Sequence, residues 1–329
     1  MTVSVALATY NGEKYITEQL DSLLGQTVRP EEVIIIDDCS TDRTPDIIGE
    51  YIASHKLDWR FSRSEKNSGY KRNFYNCLKE CTGDVVFLCD QDDVWHKEKI
   101  EKMTAVFQND PDCLAVNSSF DMIDGEGTIT VPFGSNERHT ANFGLMPFQV
   151  DDGACIAVGL NQVLVYNISP GCTCAFKRSV VEEYIKSSQC AMPHDWELNV
   201  IAAKNSGLRF LNLPLTGYRQ HGGNTIGLSV DDSFGPLKMR GTDDVRLKVL
   251  QLQKAQADMV KANFDVSDKK QARFCKRLER FCRNREKILL EKRFFPCIKN
   301  IVLYPSLKSV ATIHFRGIIG DMVYVLKSK

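Results

Sequence analysis

Short apolar runs alternate with helical patterns along the first hundred residues. Residues 3–9, 32–36 and 84–89 are strand-length runs rich in β-branched and other apolar side chains. Between these runs, residues 13–24 and 71–80 repeat apolar side chains at helical spacing. Strands and helices that alternate with short connections predict an α/β fold, in which a mainly parallel, Rossmann-like sheet is flanked by helices.

The middle of the chain predicts more strands than helices. The patterns at residues 113–122, 163–168 and 208–218 are typical of strands, whereas residues 195–206 predict a helix. These elements extend the sheet that the first hundred residues begin.

The pattern changes near residue 231. Residues 231–241 contain Gly and Pro without periodicity, so we expect a linker there, between a domain of residues 1–230 and a mainly helical, basic region of residues 242–329. Within that region, residues 268–293 predict a basic amphipathic helix, which we expect Pro296 to end.

Charge is unevenly distributed, although the 42 basic and 42 acidic side chains give no net charge. From Gly235 to the end there are 22 Lys and Arg against 9 Asp and Glu, a net charge of +13 that the preceding residues balance. Two interpretations stay open: the basic helix packs against protein with its charges solvated, or it docks on an anionic membrane or a partner. Nucleic-acid binding is not expected, because the segment has no known motif.

Twelve cysteines occur without a CxxC pair or a zinc-finger spacing. Met1 leads directly into a strand pattern, so we expect no signal peptide and reduced thiols in a cytoplasmic protein. No apolar run reaches the ~20 residues of a transmembrane helix. Peripheral contact with the inner face of the cell membrane is the remaining membrane hypothesis.

Polar side chains follow each of the first strands. Thr9 and Asp37 end two of them, and Asp90 and Asp92 follow the third. In parallel sheets, ligands bind beyond the carboxyl ends of the strands, so these side chains outline a site. Two carboxylates two residues apart offer hard oxygen ligands to Mg²⁺ or Mn²⁺, which can hold a diphosphate.

Several ordered segments resemble family 2 glycosyltransferases of the inverting GT-A type, and most of all the bacterial rhamnosyltransferase-like group. The segments are Ala6–Gly12, Val33–Asp42, Asp90–Trp95, Gly171–Phe176, His194–Trp196 and Tyr218–Asn224. They span about two thirds of the chain and leave the last hundred residues outside the resemblance.

The resemblance implies a role for each matching position. Nucleotide-sugar binding is expected of Thr9, Tyr10, Asn11, Asp38, Asn67, Lys71, Arg72, Asn73, Asp90 and Gln91. The expected metal ligands are Asp90, Asp92 and His221, and the expected acceptor side contains Cys172, Thr173, His194 and Trp196. Asp195 matches the catalytic base, although an acid at that position can also simply cap a helix.

The implied activity is metal-dependent, inverting transfer of a sugar from dTDP-rhamnose or a UDP-sugar to an acceptor hydroxyl in bacterial surface polysaccharide synthesis. The acceptor would be a saccharide, with a lipid-linked one as a candidate. Such a transfer requires a base for the acceptor hydroxyl and stabilisation of the departing nucleoside diphosphate. The alternative is a catalytically inactive binding or scaffold module of the same fold. NAD-dependent oxidoreductases and P-loop NTPases are excluded, because their glycine motifs are absent.

Overall fold

The computed structural model describes residues 1–131, 150–164, 167–221, 243–264, 267–307, 310, 313 and 315–327. These residues form two compact units. The first comprises the described residues up to 163 and from 167 to 221, and the second comprises Leu164 and the described residues from 243 onwards. The predicted linker at 231–241 lies outside the described residues, and the domain bounds 1–230 and 242–329 stay a prediction.

The first unit contains ten described strands and seven described α-helices. The strands are β1 (Val3–Thr9), β2 (Glu32–Asp37), β3 (Arg60–Arg63), β4 (Val85–Asp90), β5 (Val94–Trp95), β6 (Ala115–Ile123), β7 (Ile129–Val131), β8 (Cys155–Ala157), β9 (Cys174–Lys177) and β10 (Leu208–Arg219). The helices are α1 (Ile16–Leu24), α2 (Thr44–His55), α3 (Tyr70–Glu80), α4 (Lys99–Asn109), α5 (Leu160–Val163), α6 (Arg178–Ser187) and α7 (His194–Lys204).

All ten strands join one sheet, whose main order is β3-β2-β1-β4-β9-β6-β10-β5. The first four strands in that order are parallel, as the sequence predicts. β9 then runs antiparallel to both β4 and β6, whereas β6 and β10 are parallel to each other. The sheet is therefore mixed beyond β4, and the predicted α/β class is confirmed.

Burial explains why the first strands are continuous apolar runs. Helices cover both faces of this sheet, so side chains on either face of β1 avoid water. Val5 and Leu7 lie in the same apolar cluster as Ile16 and Leu20 of α1. Such packing makes β1 and its neighbours a rigid support for the loops that follow them.

One predicted strand, at residues 163–168, is wrong. Val163 ends the short helix α5, and Asn167 and Ile168 are irregular, while residues 165–166 lie outside the described residues. The side chain of Gln162 accepts a hydrogen bond from the Gly159 amide at 2.8 Å, which stabilises the turn of helix locally. A short apolar run is compatible with a strand or a helix, and here the local hydrogen bonds favour the helix.

The second unit is helical, as predicted. Its α-helices are α8 (Asp243–Asn263), α9 (Lys269–Glu291), α10 (Phe295–Leu303) and α11 (Phe315–Lys327). The Asp268 carboxylate accepts a hydrogen bond from the Lys270 amide at 2.6 Å and caps the basic helix α9. Pro296 does not end this helix: α9 stops at a left-handed Lys292, and Pro296 begins α10, where a helix tolerates proline.

All twelve cysteines are free thiols, and nine of them are buried. Among the described residues, no helix combines the length and the apolar character that crossing a bilayer requires.

Gly83 is the position where the sheet most depends on a missing side chain. A Cβ there would lie 2.6 Å from Ser4 Oγ and 2.8 Å from Ser4 N, against the backbone of β1. We expect Gly83→Ala to destabilise the first unit by about 1–3 kcal/mol, because β1 must shift. Gly49 is the matched control: it is exposed on α2, and a Cβ added there would meet no atom within 4 Å, so Gly49→Ala is expected to stabilise by roughly 0.5–1 kcal/mol.

Scanning calorimetry of the full chain measures both variants. Equal melting temperatures for Gly83→Ala and the unsubstituted protein would contradict the expected clash between a Cβ at position 83 and Ser4 of β1.

Candidate functional site

The register of the sheet brings the polar strand ends to one edge. Thr9 lies opposite Asp37 across the β1–β2 pair, and Ala8 lies opposite Asp90 across the β1–β4 pair. The three strands therefore end at the same level, as parallel strands with a ligand site require.

Asp37 holds this edge together and is completely buried. Its carboxylate accepts hydrogen bonds from Thr9 Oγ1 at 3.1 Å and from the Ser40 amide at 2.8 Å. The Arg63 Nε atom lies 3.5 Å away and supplies the opposite charge. The Thr9 hydroxyl is thus hydrogen-bonded to Asp37, and both buried residues stabilise this edge of the sheet.

Asp38, to which the resemblance assigns nucleotide-sugar binding, binds the turn before α3. Its two carboxylate oxygens accept hydrogen bonds from the Ser68 amide and hydroxyl at 2.9 and 2.8 Å and from the Gly69 amide at 2.8 Å. Asn67 donates to the Asp38 carbonyl at 3.2 Å and keeps an exposed side chain. Asp38 therefore fixes the loop that carries Asn67, a role that sequence reasoning missed.

The loop after β1 is held by the side chain of Gln91. That amide accepts from the Tyr10 N–H at 2.7 Å and donates to the Tyr10 carbonyl at 2.8 Å, which leaves the Tyr10 ring exposed at the edge. Asn11 adopts a left-handed conformation (φ 50°) and accepts a hydrogen bond from the Thr41 amide at 2.8 Å. Tyr10 is thus the exposed group of this loop, while Gln91 and Asn11 position it.

The predicted binding residues of α3 differ in their exposure. Asn73 is buried and donates to the carbonyls of Thr9 and Ile36 at 3.3 and 2.9 Å, so it joins β1 to β2. Lys71 donates to the Ala191 carbonyl at 2.5 Å, and burial lowers its pKa. Arg72 is exposed, with its guanidinium 4.7 Å from the centre of the Tyr75 ring.

Asp92 and His221 come together although 129 positions separate them in the first unit. His221 Nε2 lies 2.9 Å from Asp92 Oδ2, and each side chain is 19% exposed. The His221 ring also lies 4.7 Å from the Tyr15 ring. A carboxylate and an imidazole at this distance can share a divalent cation that enters from solvent.

Asp93 is an acid that sequence reasoning left out. It is 1% exposed, and its Oδ1 accepts a hydrogen bond from the Arg219 amide at 2.9 Å. Burial, followed by the Asp92 charge, raises the pKa of Asp93 to about 7. Burial and the charges of Asp93 and Asp92 raise the pKa of Asp90 well above its ordinary value. Three crowded acids thus favour either protonation or a bound cation.

A second set of potential ligand atoms comes from Asp90, Asp93 and Cys172, which lie within 4.8 Å of one another. Burial raises the pKa of the Cys172 thiol well above its usual range, so it stays protonated. A neutral thiol is a poor ligand for Mg²⁺ or Mn²⁺, which prefer oxygen. Among the described residues, the structure thus brings Asp92 to His221 and Asp90 to Asp93 and Cys172, and it does not gather the predicted ligands Asp90, Asp92 and His221 into one set.

Lys99 is a buried cation close to these acids. Its Nζ donates to Thr216 Oγ1 at 2.8 Å and to the Cys172 carbonyl, and it lies 4.0 Å from the Trp95 ring centre. Burial lowers its pKa to about 8, and the nearby Asp93 charge opposes that effect. Lys99 lies at the start of α4, and its place in the sequence does not indicate that it is a buried cation close to the acids.

Asp195, the predicted base, lies in the first turn of α7 and is 7% exposed. Burial raises its pKa to about 6, against a hydrogen bond from Asn167 Nδ2 to its Oδ2 at 2.6 Å that acts in the opposite direction. Asn167 in turn accepts from Asn199 at 3.2 Å, and Asn199 exchanges two hydrogen bonds with Asn117 at 2.8 and 3.0 Å. The half-buried amide of Asn167, which the fully buried Asn199 and Asn117 support, therefore holds one carboxylate oxygen of Asp195.

The Tyr70 hydroxyl is influenced both by Asp195 and by the acidic edge, which we define as Asp90, Asp92 and Asp93 at the end of β4. The charges of Asp195 and Asp90 both add to burial in raising the pKa of the Tyr70 hydroxyl. Both carboxylates therefore lie within electrostatic range of one phenol. Sequence reasoning missed this residue, which precedes the predicted binding residues of α3 by one position.

The predicted acceptor side is largely buried. His194 stacks on Phe74 at 3.9 Å between ring centres, and burial lowers the pKa of His194 to about 3, so the ring is neutral. Trp196 donates its indole N–H to the Val163 carbonyl at 2.6 Å. Cys172 and Thr173 are fully buried. All four side chains are at most 4% exposed, and their place on the acceptor side stays a prediction.

Comparison with known proteins shows what the chain is similar to. Residues 4–159 match the profile of Glycosyl transferase family 2. The dTDP-rhamnosyl transferase RfbG of Shigella flexneri is 28% identical over 236 residues, which are 68% of this chain and 74% of RfbG. An uncharacterised protein of Mycobacterium tuberculosis is 28% identical over 67% of this chain, which spans 59% of that protein's length.

Part of the chain is more similar to a longer enzyme. The poly(ribitol-phosphate) beta-N-acetylglucosaminyltransferase TarS of Staphylococcus aureus is 42% identical over 108 residues, which are 32% of this chain and 18% of TarS.

Solved structures extend the likeness to the whole fold. TarS residues 1–349 in complex with UDP-GlcNAc align with a TM-score of 0.57 at 20% identity, over 100% of this chain and 91% of that one. The mannosyltransferase PcManGT of Pyrobaculum calidifontis, in complex with GDP-Man and Mn²⁺, aligns with a TM-score of 0.52 at 17% identity, over 99% and 80%. Residues 4–159 are therefore similar to a glycosyltransferase family 2 domain, and the fold of the chain is that of the GT-A glycosyltransferases.

Proposed function

We propose that the protein is an inverting, metal-dependent glycosyltransferase that moves a sugar from a nucleotide diphospho-sugar to an acceptor hydroxyl. The observation that carries the proposal is Asp195, a buried carboxylate that Asn167 Nδ2 holds at 2.6 Å and whose charge helps to raise the pKa of Asp90. A base near neutrality beside a cation-binding edge matches what a single in-line displacement requires.

Each residue of the site would have a distinct role in the transfer. Asp195 accepts the proton of the acceptor hydroxyl as that oxygen attacks the anomeric carbon, and Asn167 keeps the carboxylate oriented. Asp92 and His221, with Asp90, would hold Mg²⁺ or Mn²⁺ against the diphosphate. The bound ion would supply positive charge for the departing diphosphate. Tyr10 and Asn67, which are exposed, would contact the nucleoside.

The inactive-module alternative is less consistent with the site. Burying a carboxylate costs free energy unless it gains compensating interactions, and a binding module would have no use for a carboxylate at this position. Asp195 nevertheless keeps its acid group in a dehydrated position where its affinity for a proton is raised. A pKa raised in this way is a common property of catalytic acids and bases.

The relatives suggest the substrate class. RfbG is named a dTDP-rhamnosyl transferase, TarS was solved with UDP-GlcNAc, and PcManGT with GDP-Man and Mn²⁺. We propose a dTDP- or UDP-activated donor and a saccharide acceptor in bacterial surface polysaccharide synthesis, such as capsule or O-antigen. A lipid-linked saccharide is one candidate acceptor.

Removing the base tests the proposal directly. Asp195→Asn keeps the size of the side chain but removes its affinity for a proton, so we expect kcat to fall by about a hundredfold or more. Nucleotide affinity should stay within about twofold, because the base acts on the acceptor. Glu197→Gln is the matched control on the same helix: its Oε1 accepts from the Met192 amide at 3.0 Å, which glutamine can also do. Wild-type turnover in Asp195→Asn would rule out the base assignment.

The pH dependence of transfer tests the environment of the base. Only the ionised carboxylate accepts a proton, so kcat/KM should fall tenfold for each pH unit below about 6. The Asn167 hydrogen bond stabilises the charged form, so Asn167→Ala should raise the pKa of Asp195 and move this acid limb to higher pH. The plateau should fall by less than about tenfold, since the base remains.

Asn205→Ala provides the control, because its side chain donates to the Ile201 carbonyl of α7 at 3.2 Å, away from the base. An acid limb that stays in place or moves to lower pH in Asn167→Ala would contradict the assigned hydrogen bond.

A further inference from the structure

The second unit displays apolar side chains on the outward sides of α10 and α11. We define the C-terminal apolar face as the following residues: Phe295, Ile298, Val302, Phe315, Val323 and Leu326. Phe295 is 77% exposed and Val302 is 74% exposed, which is unusual for large apolar side chains. At helical spacing, positions 295, 298 and 302 lie on one side of α10.

The orientation of α10 is fixed by polar contacts on its inner side. Asn300 is buried, donates to the Phe281 carbonyl at 3.3 Å and accepts from Asn284 at 2.9 Å. Cys297 is buried on the same inner side, in the core of the second unit. Rotating α10 to hide Phe295 would break these contacts, so its outward side is a stable feature of the fold.

α11 is held in the same way by a buried ion pair. Asp321 is 2% exposed and lies 2.8 Å from both Arg285 Nε and Arg246 Nη1. Breaking such a buried pair is costly, so Val323 and Leu326 keep facing outward. A helix that is apolar on both its inner and its outer side normally has a further partner on the outer side.

Charge identifies the chemistry of that partner. From Lys287 to Lys327 the sequence contains seven Lys and Arg but only two acids. One acid, Asp321, is buried in its ion pairs, and the other, Glu291, lies 2.8 Å from Arg293. The segment of the sequence that carries the C-terminal apolar face is therefore positively charged, which complements an anionic surface.

Lysine next to the exposed apolar side chains favours a bilayer over a second protein. Lys299 is exposed and directly follows Ile298 on α10. Protein interfaces are depleted in lysine at their cores, whereas at a bilayer a lysine extends its ammonium to the phosphates while its stem lies among the acyl chains. Aromatic and aliphatic side chains on one helix side, with basic residues beside them, are typical of interfacial membrane helices.

From these observations we infer that the C-terminal apolar face docks the protein on the surface of an anionic lipid bilayer, with Phe295, Ile298 and Val302 inserted among the headgroups. The inference does not depend on the proposed transfer reaction, since it uses only the second unit and its charge.

Co-sedimentation of the full chain with vesicles tests this inference without nucleotide or sugar. We expect binding to vesicles of phosphatidylcholine mixed with phosphatidylglycerol, weaker binding at high salt, and little binding to phosphatidylcholine alone. The double variant Phe295→Asp with Val302→Asp should bind at least about tenfold more weakly, because two inserted apolar side chains become charged. Lys299→Gln should weaken binding to the anionic vesicles alone.

The matched control places the same two charges elsewhere. Val28 and Ile129 are exposed apolar residues of the first unit, so Val28→Asp with Ile129→Asp should bind vesicles as the unsubstituted protein does. Unchanged circular dichroism melting in both double variants verifies that they fold.

Three results would overturn the inference. They are absence of binding to anionic vesicles, equal binding by the Phe295→Asp/Val302→Asp variant, and a dimer in sedimentation equilibrium that this variant alone dissociates. The last result would assign the C-terminal apolar face to a second copy of the chain.

Discussion

Crowding of like charges after β4 is the constraint around which the site is organised. Asp90, Asp92 and Asp93 follow one another within four residues at the end of a buried strand, where water cannot screen them well. The protein offsets this repulsion from within: the Arg219 amide donates to Asp93, and the buried Lys99 ammonium lies close by. In the proposed function, an added cation would offset the remaining repulsion and retain the nucleoside diphosphate.

Asp195 is a second buried acid, and in the proposed function its charge must not be neutralised. Within the described part of the chain, the side chain that donates a hydrogen bond to Asp195 is the neutral Asn167 rather than a basic group. Amides orient a carboxylate while neutralising none of its charge, so its pKa stays near the range where a base is effective. The acids at the sheet edge and the acid on α7 thus have distinct environments, as distinct roles in one displacement require. Tyr70 lies within the influence of both.

Sequence reasoning predicted what depends on periodicity and on ordered motifs. The parallel strands align the predicted polar ends, and Asp92 meets His221 although 129 positions separate them. The sequence does not reveal the roles of Lys99 and Asn167, because their partners are distant in sequence and because lysine and asparagine are common at positions without such a role. The prediction that Pro296 ends α9 is wrong for a local reason, because proline is compatible with the start of a helix as well as with its end. The left-handed Lys292, four residues earlier, distinguishes the two.

The most direct test of the account is a thermal-shift comparison of nucleoside diphosphates and their sugars, with and without Mn²⁺, on the unsubstituted protein and on Asp92→Ala. If the acidic edge binds a metal-diphosphate, dTDP- or UDP-linked ligands should raise the melting temperature of the unsubstituted protein in the presence of Mn²⁺. The same ligands should lose that effect in Asp92→Ala. Stabilisation that is identical with and without Mn²⁺ in both proteins, or no stabilisation by any nucleotide, would contradict the account.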